Sequence, residues 1–478
     1  MSIVVVGLGP GPYRALTLEA VEALGAADEL YLRTRIHPTV EELPAALQWT
    51  AFDDLYETSS SFDALYDRIV EVLLARGARA EIAYAVPGHP LIGEASVQRL
   101  LARAPAAGVA VRIVGGLSFA EAALTALGRA ADDLQIVDGL ALPYVAPTVP
   151  LLVYQVYKAT VASDVKLALL RLYPPEHPVL VVQGAATALE RVERVELAAL
   201  DRGRTFDHLT TLYVPPLPAD EDFGTMAGLA HIVARLRRPG GCPWDAQQTH
   251  ASLKRYLLEE AYEAAEALEE EDDAAFCEEL GDVLLQVALH AEMADERGAF
   301  DLTDVLRAIC TKLVRRHPHV FGSTTVADAA EVEQNWEAIK RREKGEAAAP
   351  ASLFDGLPRH HPALSTAQAI QKRLASVGAT WTERDAALGR AREQLEALAR
   401  AEGAERGPAL GSLLLTLAQV ARLQGGDAEE TLQEANRRVI RRVRALEAEH
   451  GAAGQSLCGE ALAAAVWDGT RHDETGAG

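Results

Sequence analysis

The stretch LLEEAYEAAEALEEEDDAAFCEELGDVLLQ, residues 257–286, decides the fold of the second half of the chain. It reads as two amphipathic helices, and each sets carboxylates three residues apart: Glu260 with Glu263, then Glu279 with Asp282. Projected at about 100° per residue, Leu253, Leu257, Ala261, Ala264 and Leu268 form an apolar stripe with Glu260 on its shoulder and Glu263 at its edge. On the next helix Phe276, Leu280, Val283, Val287 and Ala291 are expected to face the core, beside a polar stripe of Glu279, Asp282 and Gln286. Like charges one turn apart cost a few tenths of a kcal/mol, and partial burial adds to that cost unless the carboxylates are paired. A bound cation reverses it. An oxygen-only set without His or Cys suits Mg²⁺ or Mn²⁺, which take their remaining ligands from water and substrate phosphates.

Outward from this stretch, helical periodicity continues almost to the end, whereas residues 1 to about 214 alternate β-rich runs (IVVVG, EIAYAVPG, VAVRIVGG, LLVYQVY, PVLVVQG) with Ala/Leu-rich helical stretches. That alternation predicts α/β layers around a mainly parallel sheet. The fold class is therefore multi-domain, α/β followed by all-α. PPLPADEDFG, residues 215–224, reads as a linker, and GEAAAPASLFDGLPRHHP, residues 345–362, divides the helical half. The divisions expected are 1–214, a linker 215–224, 225–345, a linker 346–362 and 363–471.

The two helical units align as diverged copies. ELGDVLLQVALHAE from Glu279 matches ALGSLLLTLAQVAR from Ala409 without gaps, so Glu279 and Asp282 correspond to Ala409 and Ser412. Glu260 and Glu263 correspond to Glu393 and Glu396, and Arg392 stands at the position of Glu259. Half of the acidic set is missing from the second copy.

At 478 residues the chain exceeds one ordinary domain, and 49% hydrophobic content with apolar runs broken by charge predicts no membrane span. A net charge of −23 disfavours nucleic acid and anionic membranes as partners. Four dispersed cysteines, Cys242, Cys277, Cys310 and Cys458, offer no Cys-x-x-Cys pair and are expected to stay reduced. MSIVVVGLGPGP enters a strand and glycine turn without the marks of a signal peptide, so a cytoplasmic protein is expected. KLVRRHPHVF, residues 312–321, places Lys312 and Arg316 one turn apart, and NWEAIK from Asn335 repeats the spacing with Trp336 and Lys340. Phosphate chemistry needs such positive charge, and an aromatic beside a cation suits a nucleobase.

GCPWDAQQTHASLKRYLLEEAYEAAEAL, EELGDVLLQVALHAEM, KLVRRHPHVFG and NWEAIKRREK together resemble the MazG family of nucleoside triphosphate pyrophosphohydrolases. The resemblance implies an all-α, Mg²⁺-dependent fold, usually dimeric, that hydrolyses nucleoside triphosphates to the monophosphate and pyrophosphate. It implies metal ligation by Glu260, Glu263, Glu279 and Asp282, with phosphate and base contacts from Lys312, Arg316, Trp336 and Lys340. Proton removal from the attacking water falls to Glu259 or Glu263.

In the first half, GLGPG (residues 7–11), VPGHPLIGE (from Val86) and VGGLSFAEAAL (from Val114) each follow an expected strand. The trio resembles the tetrapyrrole methylases, which are S-adenosylmethionine-dependent. That implies two α/β subdomains with the cofactor contacted by loops holding Pro10, Gly88, His89, Ile92, Ser118 and Phe119. His89 stands where the family commonly has Asp, so cofactor binding through backbone groups is implied while methyl transfer, and any small-molecule acceptor, stay open. The domain order resembles that of the YabN-type fusions. The other reading is a methyltransferase whose helical half serves only as a dimerisation module.

Overall fold

The computed structural model describes residues 2–130, 132–345, 352–357, 362–452 and 466. The parts of the expected second linker at 346–351 and 358–361, and the expected last unit beyond 452 apart from Val466, lie outside the described residues.

IVVVG has no polar alternation because β1 (Ser2–Gly7) is covered on both faces, as a central parallel strand requires. With β2 (Glu29–Leu32), β3 (Trp49–Ala51), β4 (Glu81–Val86) and β5 (Ala110–Val114) it forms a sheet of order β3-β2-β4-β1-β5. Every pair in it is parallel. One face buries Ile3, Val5, Leu73, Ile82 and Tyr84 under helices Phe62–Gly77 and Ala95–Arg103. The other buries Val4, Val6, Leu24 and Ala85.

A second sheet departs from the mainly parallel expectation. β6 (Gln135–Asp138), β7 (Leu151–Tyr154), β8 (Pro178–Gln183), β9 (Arg191–Glu196) and β10 (Thr210–Val214) take the order β6-β7-β10-β8-β9. Only β6 and β7 run parallel; the pairs of β10 with β7 and β8, and of β8 with β9, are antiparallel. The connection from Gln183 to Arg191 is too short for a crossover helix and forces the chain to return alongside itself.

The segment after β10 is held down by Leu217, buried and donating its N–H to Pro147 O at 2.8 Å. Two helices then carry the acidic stretch. Thr249 caps His250–Glu269 by a reciprocal bond with Ser252, and Asp272 caps Asp273–Asp295 by accepting from Ala274 N and Ala275 N. The hairpin between them closes on Glu271, whose φ is 56°. Their seam differs from the projected stripes. Leu253, Ala264 and Ala291 are buried as expected, but Ala267, Ala288 and Ala294 join them, while Leu268 and Leu280 are 59% and 44% exposed. Leu289 and Met293, which the projected stripes leave out, are buried as well and cluster with Leu253, Ala288 and Val233.

The chain divides into two compact units, residues 1–311 and 312–478, with the division inside helix Leu302–Arg316. The second unit is helical, with Ala367, Ala418 and Ala428 at its core. No described helix is long and apolar enough to cross a membrane. Cys242, Cys277 and Cys310 carry free thiols, and Cys458 lies outside the described residues.

Candidate functional site

The two acidic helices bring one carboxylate oxygen each from Glu260, Glu263 and Glu279 within 4.8 Å of one another. Glu260 and Glu279 are half-buried and Glu263 is exposed. Burial first, then the charges of Asp282 and Glu263 and a hydrogen bond to Glu263, push the Glu260 carboxyl above its ordinary pKa. Glu279 is pushed up by desolvation and by Glu263 and Asp282. Asp282 is thus electrostatically part of the cluster, although the close trio does not include it. Glu259 is exposed and outside the trio.

The donor set fits a hard cation. Oxygens bound at about 2.1 Å to one Mg²⁺ stand at most about 4.2 Å apart, so small side-chain movements convert the repelling trio into a ligand set. The proximity of acids that helps raise the Glu260 and Glu279 carboxyls becomes favourable when a divalent charge replaces the protons.

Lys312, Arg316, Trp336 and Lys340 all fall in the second compact unit. Arg316 donates to Glu343 from Nη2 at 2.6 Å and from Nε at 3.3 Å, and its guanidinium sits 5.1 Å from the Trp336 ring centre. His317 meets the same ring edge-on at 5.0 Å. Lys312 and Lys340 are half-buried.

In the first unit the three glycine loops meet at the carboxyl ends of β1, β4 and β5, where open α/β sheets bind ligands. Gly9, with φ 69°, and Gly88, with φ 66°, exchange backbone hydrogen bonds of 3.2 and 2.9 Å. A Cβ on Gly116 would stand 2.8 Å from both Gly7 O and Gly88 O, so the backbones touch. Pro10 extends the first loop, and His89 and Ile92 shape the second through Ile92 N to His89 O at 3.0 Å. Phe119 packs against Tyr154 of β7 with ring centres 5.0 Å apart. Ser118 is buried with its hydroxyl accepting from Ala120 N at 3.1 Å and bonding Glu121, so its side chain caps the helix Phe119–Leu127.

A model of the MazG nucleotide pyrophosphohydrolase domain matches residues 248–321, and one of the tetrapyrrole (corrin/porphyrin) methylases matches residues 2–201. YabN of Bacillus subtilis (strain 168) is 41% identical over 378 residues, 77% of this chain and 76% of its own length. The nucleoside triphosphate pyrophosphohydrolase of Escherichia coli (strain K12) is 40% identical over 255 residues, 52% of this chain and 97% of that protein.

The chain belongs to the MazG family.

Its form is the YabN-type fusion, with a tetrapyrrole methylase-like domain ahead of the MazG domain. A uroporphyrin-III-C-methyltransferase from Thermus thermophilus aligns with 24% identity and a TM-score of 0.36 over 45% of this chain and 94% of that one. The MazG match encloses Glu260, Glu263, Glu279, Asp282, Lys312 and Arg316, and ends before Trp336 and Lys340.

Three features of the MazG and methylase-like parts were not drawn from the sequence. Glu343 stands in NWEAIKRREK without a distinguishing neighbour, and only its distance from Arg316 marks it. His250 and His290, forty residues apart, bring their Nδ1 atoms to 2.7 Å. Glu121 holds Ser118 through a capping box, which the Ser-x-x-Glu spacing from Ser118 would have signalled.

Proposed function

We propose that the chain is a Mg²⁺-dependent nucleoside triphosphate pyrophosphohydrolase, releasing monophosphate and pyrophosphate, with an N-terminal domain that binds S-adenosylmethionine. The convergence of Glu260, Glu263 and Glu279 within 4.8 Å, in a chain of the MazG family, carries the reading. Glu260, Glu263, Glu279 and Asp282 hold the cation, Mg²⁺ or Mn²⁺. When bound it would neutralise phosphate oxygens and lower the pKa of a water. Lys312 and Arg316 bind phosphate oxygens, and Trp336 with Lys340 contacts the base. The phosphorus is attacked in line by water, whose proton leaves to Glu259 or Glu263. A variant E259Q that keeps cation affinity but loses kcat assigns the proton to Glu259; one that keeps both assigns it to Glu263.

The loops bearing Pro10, Gly88, His89, Ile92, Ser118 and Phe119 form the S-adenosylmethionine site, largely through backbone groups. Leu258, Tyr262, Leu280 and Leu284 are each at least 44% exposed on the acidic helices, an apolar surface that supports a homodimer. The protein acts in the cytoplasm.

A panel of nucleoside triphosphates with Mg²⁺, followed for monophosphate and pyrophosphate, tests the reading. Pyrophosphate release that stops on chelation is expected. Release of orthophosphate alone, or none, refutes it.

A further inference from the structure

Glu343 lies three residues beyond Lys340 and seven beyond Trp336, so all three share one face of helix Ala329–Gly345. Its carboxylate receives two guanidinium groups, Arg315 at 2.7 Å and Arg316 at 2.6 Å. Adjacent arginines repel one another, and a shared carboxylate removes that repulsion while leaving the trio with a net charge of +1. Arg316 is held by the paired bonds from Nε and Nη2, which fix its plane. It is held also by Trp336, whose ring lies 5.1 Å from the guanidinium carbon. The Arg316 and Glu343 side chains remain 15% and 22% exposed, so the pair is supported and still reached by solvent.

We propose that Glu343 is a positioning residue for triphosphate binding, fixing Arg316 against Trp336 so that its guanidinium is set before the phosphates arrive. This rests on the reading of Arg316 as a phosphate contact. A free arginine loses rotamer freedom on binding, and one already held loses less. Opposing this, the Glu343 charge repels the substrate, but it sits between two cations that outweigh it. The gain from positioning therefore prevails.

The test uses the full chain with Mg²⁺ and a triphosphate whose α,β-bridge is a methylene group, titrated by calorimetry, beside kcat and KM for the natural triphosphate. E343Q keeps the shape and removes the charge. It is expected to raise Kd and KM together by about five- to tenfold, the cost of immobilising one long side chain, with kcat within about twofold. In an R316A background the same substitution is expected to change Kd by less than about twofold, because the two residues act through one interaction. Unchanged or tighter binding by E343Q overturns the proposal, as does an equal effect with and without Arg316. Should E343Q unfold, E343D, which withdraws the charge by one methylene, is expected to give an intermediate loss, and a wild-type Kd then overturns the proposal. A wild-type chain that binds the analogue but releases no pyrophosphate refutes the hydrolysis reading alone, since the Kd comparison still decides the role of Glu343. Absence of binding overturns both.

Discussion

Arg390 donates a hydrogen bond to the Glu393 carboxylate at 2.8 Å, one turn away on helix Arg384–Arg400. Glu393 aligns with Glu260, whose hydrogen-bond neighbour is instead another acid, Glu263. At the position of Asp282 stands Ser412, whose hydroxyl bonds Pro408 O in its own helix at 3.0 Å. The acids around Glu260 are left to repel, whereas Glu393 is neutralised within its own helix. E260A and D282A are accordingly expected to lower kcat/KM for triphosphate hydrolysis by at least about a hundredfold, the scale set by loss of charge stabilisation. E393A is expected to stay within about twofold, with circular dichroism unchanged in all three. Loss of pyrophosphate release in E393A would count against assigning hydrolysis to the first repeat.

The same repulsion predicts a coupling between pH, metal and stability. Desolvation and neighbouring acids raise the Glu260 and Glu279 carboxyls above their unfolded pKa. Such a group holds its proton more firmly in the folded state, so its contribution to stability is present at low pH and is lost as pH rises through the carboxylate range. A cation takes over where the proton leaves. Mg²⁺ is expected to raise the melting temperature more at pH 7 than at pH 5, and in E260Q/E279Q the increment should become small and nearly independent of pH. An equal Mg²⁺ increment at both pH values in the wild type would dismiss the linkage.

The fold class was legible because periodicity survives averaging: the buried run of β1 and the alternation of β4 and β5 with helices are properties of whole segments. The antiparallel return of β9 was not, because RVERVE, residues 191–196, looks like polar surface and owes its place to pairing with β8. Within the candidate site, the spacing that put Glu260 beside Glu263 and Glu279 beside Asp282 was visible, as i and i+3 on a helix always are. The covering of those helices was not. Leu268 and Leu280 fit an apolar stripe by spacing, yet they are largely exposed, and Leu253, Ala288, Leu289 and Met293 form the buried cluster instead. The grip of Glu343 on Arg316 joins residues 27 apart in sequence, which no local pattern encodes.

His37 supplies a second pH effect, in the methylase-like domain. It is 6% exposed, donates from Nε2 to Gly9 O at 2.9 Å and accepts from Thr39 N at Nδ1 at 3.2 Å, a neutral ring clamping the first glycine loop. Burial pushes its pKa down to about 4, the Gly9 bond opposing and His208 assisting. A depressed histidine pKa means that below about pH 6.5 the unfolded chain takes up a proton that the folded chain refuses. Stability from this residue is therefore full above pH 6.5 and declines toward pH 4, by about 3 kcal/mol over the interval. Denaturant titrations of wild type and H37Q across that range should show the variant weaker near pH 7, by about 1 kcal/mol for a lost buried hydrogen bond, and the deficit closing or reversing near pH 4. Parallel curves would mean that His37 does not resist protonation.

The apposed glycine loops allow the proposed S-adenosylmethionine site to be separated from the fold that bears it. A Cβ on Gly7 would lie 2.6 Å from Gly88 O and 2.7 Å from Gly116 N, and one on Gly116 would meet Gly7 O and Gly88 O. These are backbone atoms, so neither clash is relieved by a rotamer change, and both substitutions must force the loops apart. G116A is expected to cost about 1–3 kcal/mol, as overpacking does, and to abolish S-adenosylmethionine binding measured by calorimetry on the full chain. Gly25 is the control. It lies in helix Leu18–Ala26 with nothing within 4 Å of an added Cβ, so G25A should bind the cofactor normally and gain about 0.5–1 kcal/mol from helix propensity. Since the loops bearing Gly88 and His89 are seated by backbone contact, the comparison holds whether or not His89 permits methyl transfer. A G116A chain that binds S-adenosylmethionine like the wild type would show that the cofactor does not depend on the meeting of the three loops.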